Sequence, residues 1–209
     1  MARLIAAGVL ALTALFPGPG RAWNPMSLFA PCAGDCRVAI FGGQYVENSM
    51  GEVLVTSPEL PFSWEYVGGD NFIGTSISRR TATLWNHVDV EPEIGMGQRF
   101  GRQDETEVWV ALYGRYHGFP WDDYVVTTVA LSTGLNWASD VSEVEQARAK
   151  DGEGSRVMHY FAPEITFALP SDPDIQLLFR FHHRSGVFGL VSDAFGGAQY
   201  GTVGFRIRF

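Results

Sequence analysis

Alternation of apolar and polar residues is the dominant pattern along most of the chain. It predicts eight strands: Arg37–Asn48, Asn71–Trp85, His87–Phe100, Glu105–His117, Tyr124–Trp137, Ser155–Leu169, Ile175–Phe188 and Gln199–Phe209. A period of two is that of a β-strand with two different faces. Most of these segments have about 11–15 residues, more than the ~5–6 of a typical globular strand, and this length suits a tilted strand that crosses a membrane. The pattern therefore predicts an all-β fold, an eight-stranded antiparallel up-and-down transmembrane β-barrel.

The segments that join these strands fall into two classes. Short connections lie at Asn86, Gly118–Asp123 and Pro170–Asp174, whereas Ser49–Asp70, Ala138–Gly154 and Gly189–Ala198 are long. Of the alternate connections only 101–104 is short. Short turns at one end and long loops at the other are typical of outer-membrane barrels. A soluble barrel or sandwich is the alternative, since alternation alone does not say which face is inside.

The last strand carries apolar residues at every second position and ends on Phe209. This alternation resembles the terminal signal of bacterial outer-membrane barrels. That resemblance implies that the barrel assembly machinery is a partner and binds through Phe209. It also implies a location in the outer membrane of a Gram-negative bacterium.

The first residues have the layout of a secretory signal peptide. Arg3 precedes an apolar run from Leu4 to Phe16, and small residues around Ala22 offer a cleavage site. We therefore predict a signal peptide at 1–22, a periplasmic segment at 23–36 and the barrel at 37–209; a buried N-terminal helix is the alternative. Export would place Cys32 and Cys36 in an oxidising compartment, where a local disulfide is plausible.

Composition agrees with this fold and narrows the function. The chain has 209 residues, 46% of them hydrophobic and 13% aromatic, with 24 glycines, which favours β structure. Lys and Arg number 15 against 23 Asp and Glu, so the net charge of −8 argues against nucleic acid as a partner. The sequence shows neither a phosphate-cradling glycine loop nor metal-ligand spacing, so we expect no cofactor and no metal.

Two polar residues interrupt the apolar face of the seventh predicted strand. His183 and Ser185 share the parity of Leu177 and Phe181, so they are expected to face lipid side by side. Polar groups at hydrocarbon depth are costly and call for a functional reason. On the opposite face, Arg180, His182 and Arg184 predict a network in the lumen with Glu93 or Glu164.

The expected depth of this pair suggests a substrate. His183 lies eight residues beyond Ile175, or about 26 Å along the strand, which a tilt of ~40° converts to roughly 20 Å of height. That height is on the outer-leaflet side, where lipopolysaccharide presents the ester-linked acyl chains of lipid A. A histidine that takes the proton of a serine hydroxyl activates it as an acyl-ester nucleophile.

The residues 179–186, Phe-Arg-Phe-His-His-Arg-Ser-Gly, resemble the His-x-Ser signature of the PagL-type lipid A 3-O-deacylases. That family consists of eight-stranded outer-membrane barrels that hydrolyse the ester at position 3 of lipid A. The resemblance implies that lipid A of lipopolysaccharide is the substrate, with Ser185 as the nucleophile and His183 as the general base.

Two positions depart from the family pattern. The family places Asn directly after the serine, where this chain has Gly186, and it places a Glu on the last strand, where this chain has glycines near 196–197. Asp193 is the nearest acid and becomes the candidate for the residue that orients His183. The alternative to an esterase is a non-catalytic structural or binding barrel, similar to the OmpA or OmpW kind.

Overall fold

Ten antiparallel strands make up the sheet of this computed structural model, which describes residues 30–56, 58, 60–149, 152–187, 190–192 and 197–209. The strands are β1 (Cys36–Val46), β2 (Tyr66–Arg79), β3 (Ala82–Leu84), β4 (Val88–Phe100), β5 (Thr106–Tyr116), β6 (Val126–Ala138), β7 (Val157–Phe161), β8 (Glu164–Leu169), β9 (Asp172–Ser185) and β10 (Gln199–Arg208). The predicted signal peptide, most of the segment 23–36 and Asp193 lie outside the described residues. The predictions about them stay predictions.

The sheet closes on itself because β10 pairs with both β9 and β1. Val38 of β1 lies opposite Ile207 of β10, and Ile175 of β9 lies opposite the same Ile207 from the other side. A closed sheet has no unpaired edge, which a barrel in lipid requires because lipid offers no hydrogen bonds to a free backbone. The prediction of an antiparallel up-and-down barrel is confirmed.

The ten strands occupy eight strand positions around the barrel. β7 and β8 together occupy one strand position, since both keep the same register with β6: Tyr160 lies opposite Gly134, and Glu164 opposite Ala130. Pro163, which has no N–H to donate, interrupts the predicted strand Ser155–Leu169. The neighbouring N–H of Ala162 donates instead to Ser132 Oγ at 2.8 Å.

The predicted strand Asn71–Trp85 is also divided. β2 ends at Arg79, opposite Cys36, where β1 begins, and one further backbone hydrogen bond, from the N–H of Arg80 to the carbonyl of Asp35 at 2.8 Å, follows on this side. The short β3 then pairs only with β4. Trp85 and Asn86 both have positive φ angles, 48° and 61°, as a tight two-residue hairpin turn requires. The predicted turn at Asn86 is therefore present.

The two faces of the barrel differ sharply in polarity. The outward-facing side chains form an apolar belt in which each is more than a third exposed; it includes Val38, Ile40, Ile73, Ile77, Ile94, Met96, Val108, Val110, Leu112, Val129, Leu131, Leu135, Ile175, Leu177, Val203, Phe205 and Ile207. A closed antiparallel barrel with an apolar exterior and a polar interior is the design of outer-membrane barrels. The molecule is therefore built to span a membrane with its strands.

Buried ionic side chains fill the lumen. Arg180 donates to Glu93 at 2.9 Å and to Glu164 at 2.8 Å, as predicted. The prediction was wrong for the other two residues, since His182 pairs with Glu107 and Arg184 pairs with Glu145 and Asn136. A short helix, α1 (Glu143–Arg148), is capped by Ser142, and Arg99 donates a hydrogen bond to Glu145 of this helix at 3.1 Å. Small barrels fill their interior with such side chains rather than leaving a channel.

Two further features complete the fold. Cys32 and Cys36 form the expected disulfide at the start of β1. Within the described part of the chain, no helix is long and apolar enough to cross a membrane.

Candidate functional site

The candidate nucleophile stands at the very end of β9. Ser185 is the last residue of that strand, and His183 precedes it by two positions, so both side chains lie on the outward face, as the parity predicts. Ser185 lies opposite His159 of β7, whereas His183 lies opposite Phe161 of β7 and Gln199 of β10. Pairing across three strands thus assembles one polar patch on an otherwise apolar wall.

The register places this patch within the apolar belt. His159 lies opposite Leu135 of β6, and the next outward-facing pair along these strands is Val157 and Trp137. Each of these two side chains is 44% exposed. Apolar side chains therefore continue beyond Ser185 toward the loop end of the barrel, and the patch lies at hydrocarbon depth.

His183 is held through one ring nitrogen only. Its Nδ1 lies 3.0 Å from Oε1 of Gln199, and the amide nitrogen of Gln199 donates to the carbonyl of Asn48. Since that amide is used as a donor, its Oε1 faces the ring as an acceptor, which assigns the proton of a neutral His183 to Nδ1. Nε2 is buried and has no hydrogen-bond partner among the described residues.

An unpartnered acceptor at Nε2 is the form that a general base requires. Burying a polar atom without a partner costs free energy, so the arrangement is not explained by stability. Ser185 Oγ does not occupy this acceptor in the structure, although its side chain is partly exposed on the same face. Catalytic hydrogen bonds are often long without substrate and tighten when substrate binds.

A second histidine flanks the serine. His159 Nε2 lies 2.9 Å from Thr133 Oγ1 of β6, and His159 is partly exposed. As the cross-strand partner of Ser185, its Cβ is expected about 4.5–5.5 Å from that of the serine. Ser185 therefore has a histidine along its own strand and another across the sheet.

The expectation that the pair faces lipid directly is wrong for His183. Only 5% of His183 and 3% of the neighbouring Phe181 are exposed. The loop between β1 and β2 folds over this part of the wall, where Val53 and Trp64 pack against Phe181. The parity is correct, but a loop that sequence alternation does not describe covers the outward face here.

The residue that contacts the His183 ring was not among the sequence candidates. Gln199 was missed because an amide is not an acid and because its place beside His183 depends on the β9–β10 register. The available signal was its parity on the last strand, which is that of Val203 and Phe205. Asp193, the predicted orienting acid, lies outside the described residues.

Comparisons with known proteins give three likenesses to solved structures, among them the two that follow. No protein-family model matches the sequence, and no curated protein matches it either. A solved structure titled "De novo design of transmembrane beta-barrels" is 9% identical with a TM-score of 0.47 and covers 86% of this chain and 98% of that one. Neisserial surface protein A (NspA) is 12% identical with a TM-score of 0.49 and covers 86% of this chain and 100% of that one.

Proposed function

We propose that this barrel is an outer-membrane esterase that removes an ester-linked acyl chain from lipid A of lipopolysaccharide. The observation that carries the proposal is His183, whose Nε2 has no partner among the described residues while Gln199 fixes the ring two residues from Ser185 on the outward face of β9. A substrate that enters from the outer leaflet would meet this wall without leaving the membrane. The His-x-Ser resemblance and the apolar depth of the site support the same substrate.

The proposed reaction has two halves. His183 Nε2 takes the proton from Ser185 Oγ as this oxygen attacks the ester carbonyl of lipid A. The tetrahedral intermediate collapses, the sugar hydroxyl leaves with the proton from His183, and the acyl chain stays on Ser185. Water then attacks the acyl-serine with His183 as base, which releases the fatty acid and restores the serine.

Gln199 takes the orienting role in this proposal. Its Oε1 accepts the Nδ1–H of His183 and so selects the tautomer with a free Nε2. A neutral amide stabilises an imidazolium less than a carboxylate does, so the reaction is expected to be slower than with an acid in this place. Asp193, which lies outside the described residues, stays the acid that the sequence offers for the same role.

Assembly forms a separate part of the proposal. Phe209 is half exposed at the end of the barrel, and its N–H donates to the carbonyl of Cys36 at 3.1 Å. We propose that the barrel assembly machinery binds the last strand through Phe209. Phe209→Ala should lower the amount of folded barrel in the membrane and leave the rate per folded molecule unchanged.

The experiment compares lipid A from a host with intact lipid A that expresses the wild type, Ser185→Ala or Thr75→Ala. Thr75 is a matched control because it carries a hydroxyl on the outward face of β2, where this hydroxyl donates to the carbonyl of Ala39 at 2.9 Å. Mass spectrometry should show the loss of one ester-linked acyl chain with the wild type and with Thr75→Ala but not with Ser185→Ala. Unchanged lipid A with correctly inserted wild type would favour the non-catalytic barrel.

A further inference from the structure

The described residues of the loop between β1 and β2, which are 47–56, 58 and 60–65, fold back along the outer wall of the barrel. The ring of Trp64 packs edge-on against Phe181, with centroids 5.1 Å apart. A Cβ on Gly201 would lie 2.7 Å from Tyr66 Oη and 3.2 Å from Trp64 Cε3, so the absence of a side chain there admits the loop. We call these described loop residues the shelf.

The shelf contacts the barrel wall at a level farther from the loop end of the barrel than the candidate site. Gly201 and Phe181 lie opposite each other, two residues farther from the loop end of the barrel than the pair His183 and Gln199. The site itself lies inside the apolar belt, as shown by Val157 and Trp137 beyond it. The part of the shelf that contacts this wall is therefore at hydrocarbon depth.

Three large apolar side chains of the shelf are uncovered, and the exposed Glu47, Glu52 and Glu65 occupy other positions of the same loop. Phe62 is 81% exposed, Val55 74% and Leu60 62%. Single exposed apolar residues are ordinary on a protein surface, but three large ones on one short loop beside an apolar belt mark an interaction surface.

The backbone of the shelf is compatible with a nonpolar surrounding where its two ends meet. The N–H of Glu47 donates to the carbonyl of Glu65 at 2.9 Å, and the N–H of Glu65 donates to Asn48 Oδ1 at 2.7 Å. Two compact turns at Glu52–Thr56 and Pro61–Ser63 use further backbone groups internally. Irregular backbone is tolerated at membrane depth when such groups have partners in the protein.

We propose that the shelf is immersed in the outer leaflet and that the acyl chains of membrane lipids are the partner of Val55, Leu60 and Phe62. The exposed apolar side chains of the shelf continue the apolar belt of the barrel. This continuity favours lipid over a protein partner, because the acyl chains of the membrane can then cover both surfaces. The shelf also closes the side of the site formed by β10 and β1. Lipid therefore reaches Ser185 from the side of β7, where His159 and Thr133 are at least partly exposed.

The test places an environment-sensitive fluorophore on Phe62→Cys in barrels reconstituted into phospholipid vesicles. The native cysteines do not compete for the label because Cys32 and Cys36 form a disulfide. The control is Asp140→Cys on the β6–β7 loop, where the carboxylate pairs with Arg156 and its side chain is 72% exposed. Quenching by aqueous iodide is compared with quenching by lipids that carry bromine on their acyl chains.

The expected result is that brominated chains quench the label at 62 several-fold more than the label at 140, while iodide shows the opposite order. Equal iodide quenching at both positions would overturn the proposal, since the shelf would then lie in water. Protection of position 62 from both quenchers would also overturn it, because a second copy of the chain rather than lipid would cover the shelf.

A second variant tests whether the shelf shields the wall. Phe181→Cys should resist a lipid-soluble maleimide in the native barrel, because the shelf covers this position. The additional change Phe62→Asp places a charge in the leaflet and should displace the shelf, so that Cys at 181 reacts at least several-fold faster. Fast labelling of Phe181→Cys with the native shelf would contradict the proposed cover.

Discussion

His182 and His183 are neighbours on β9, yet the two faces of the barrel treat them differently. His182 faces the lumen, where Nε2 lies 2.8 Å from Glu107 Oε2 and Nδ1 lies 3.3 Å from Tyr160 Oη. His183 faces outward, and within the part of the chain that the structure describes only its Nδ1 has a hydrogen-bond partner. A histidine bound at both nitrogens is part of the packed structure, whereas one with a buried free acceptor is available for chemistry. On this one strand, the inward histidine therefore has a structural role, and the outward histidine is the candidate for a functional role.

The lumen side of this comparison is a shared ionic network. Glu107 accepts from Arg99, from Asn136 and from His182, and all four side chains are fully buried. Such a network is stable only when each member keeps its partners, because a charge left alone in a nonpolar interior is expensive. We therefore expect the largest effects on stability here.

Glu107→Ala should lower the free energy of unfolding by disrupting the ionic network in the lumen. Removing one member of a buried ionic network costs about 3–5 kcal/mol, because Arg99 and His182 lose their shared acceptor. Urea unfolding of the barrel in lipid vesicles, followed by tryptophan fluorescence, measures this loss. The exposed Asp123→Ala serves as control and should change the free energy of unfolding by less than about 0.5 kcal/mol. Equal effects of the two variants would show that the network adds nothing to stability.

The same assay sharpens the contrast between the two histidines. His182→Ala should cost about 1–3 kcal/mol because Glu107 and Tyr160 each lose one of their buried hydrogen bonds. His183→Ala should cost less than His182→Ala, since the ring of His183 has one hydrogen bond to lose and that of His182 has two. The reverse order would place the structural role on the outward face and remove the argument for a functional His183.

Gln199→Ala tests how the outward histidine is positioned. Loss of the hydrogen bond to Nδ1 should lower kcat about tenfold, the equivalent of roughly 1.4 kcal/mol, and leave KM nearly unchanged. Gln199→Glu should keep or raise kcat, since a carboxylate also accepts from Nδ1. A full rate for Gln199→Ala would show that this contact does not position the base.

Thr133→Val should have the smallest effect. The substitution keeps the shape of the side chain and removes the hydroxyl bound to His159 Nε2. Because His159 flanks Ser185 without contacting His183 Nε2, we expect the rate of acyl release to fall by about threefold or less. A loss larger than that of Gln199→Ala would make His159, not His183, the principal base.

Periodicity was a good guide to the strands because each strand has one outward face and one lumen-facing side. It predicted the closed barrel, the outward parity of His183 and Ser185, and the ionic partners of Arg180. It did not predict the interruption at Pro163, although proline could have signalled it, since a single missing N–H divides a strand without changing its register.

The site was less predictable because it depends on contacts between segments far apart in the chain. Gln199 meets His183 through strand pairing, and Trp64 covers Phe181 from a loop more than a hundred residues away in sequence. Alternation assigns a residue to a face but says nothing about loops that fold back over that face. For this reason the sequence placed His183 correctly in direction and wrongly in exposure.

The most direct test of the central claim is the rate of acyl release from lipopolysaccharide by the purified, folded barrel. The rates of Ser185→Ala, His183→Ala and the double variant are compared with that of the wild type. If the two residues act as one unit, all three variants should have the same residual rate, at least about 10³-fold below the wild type. A wild-type rate for folded Ser185→Ala would contradict the assignment of Ser185 as the nucleophile.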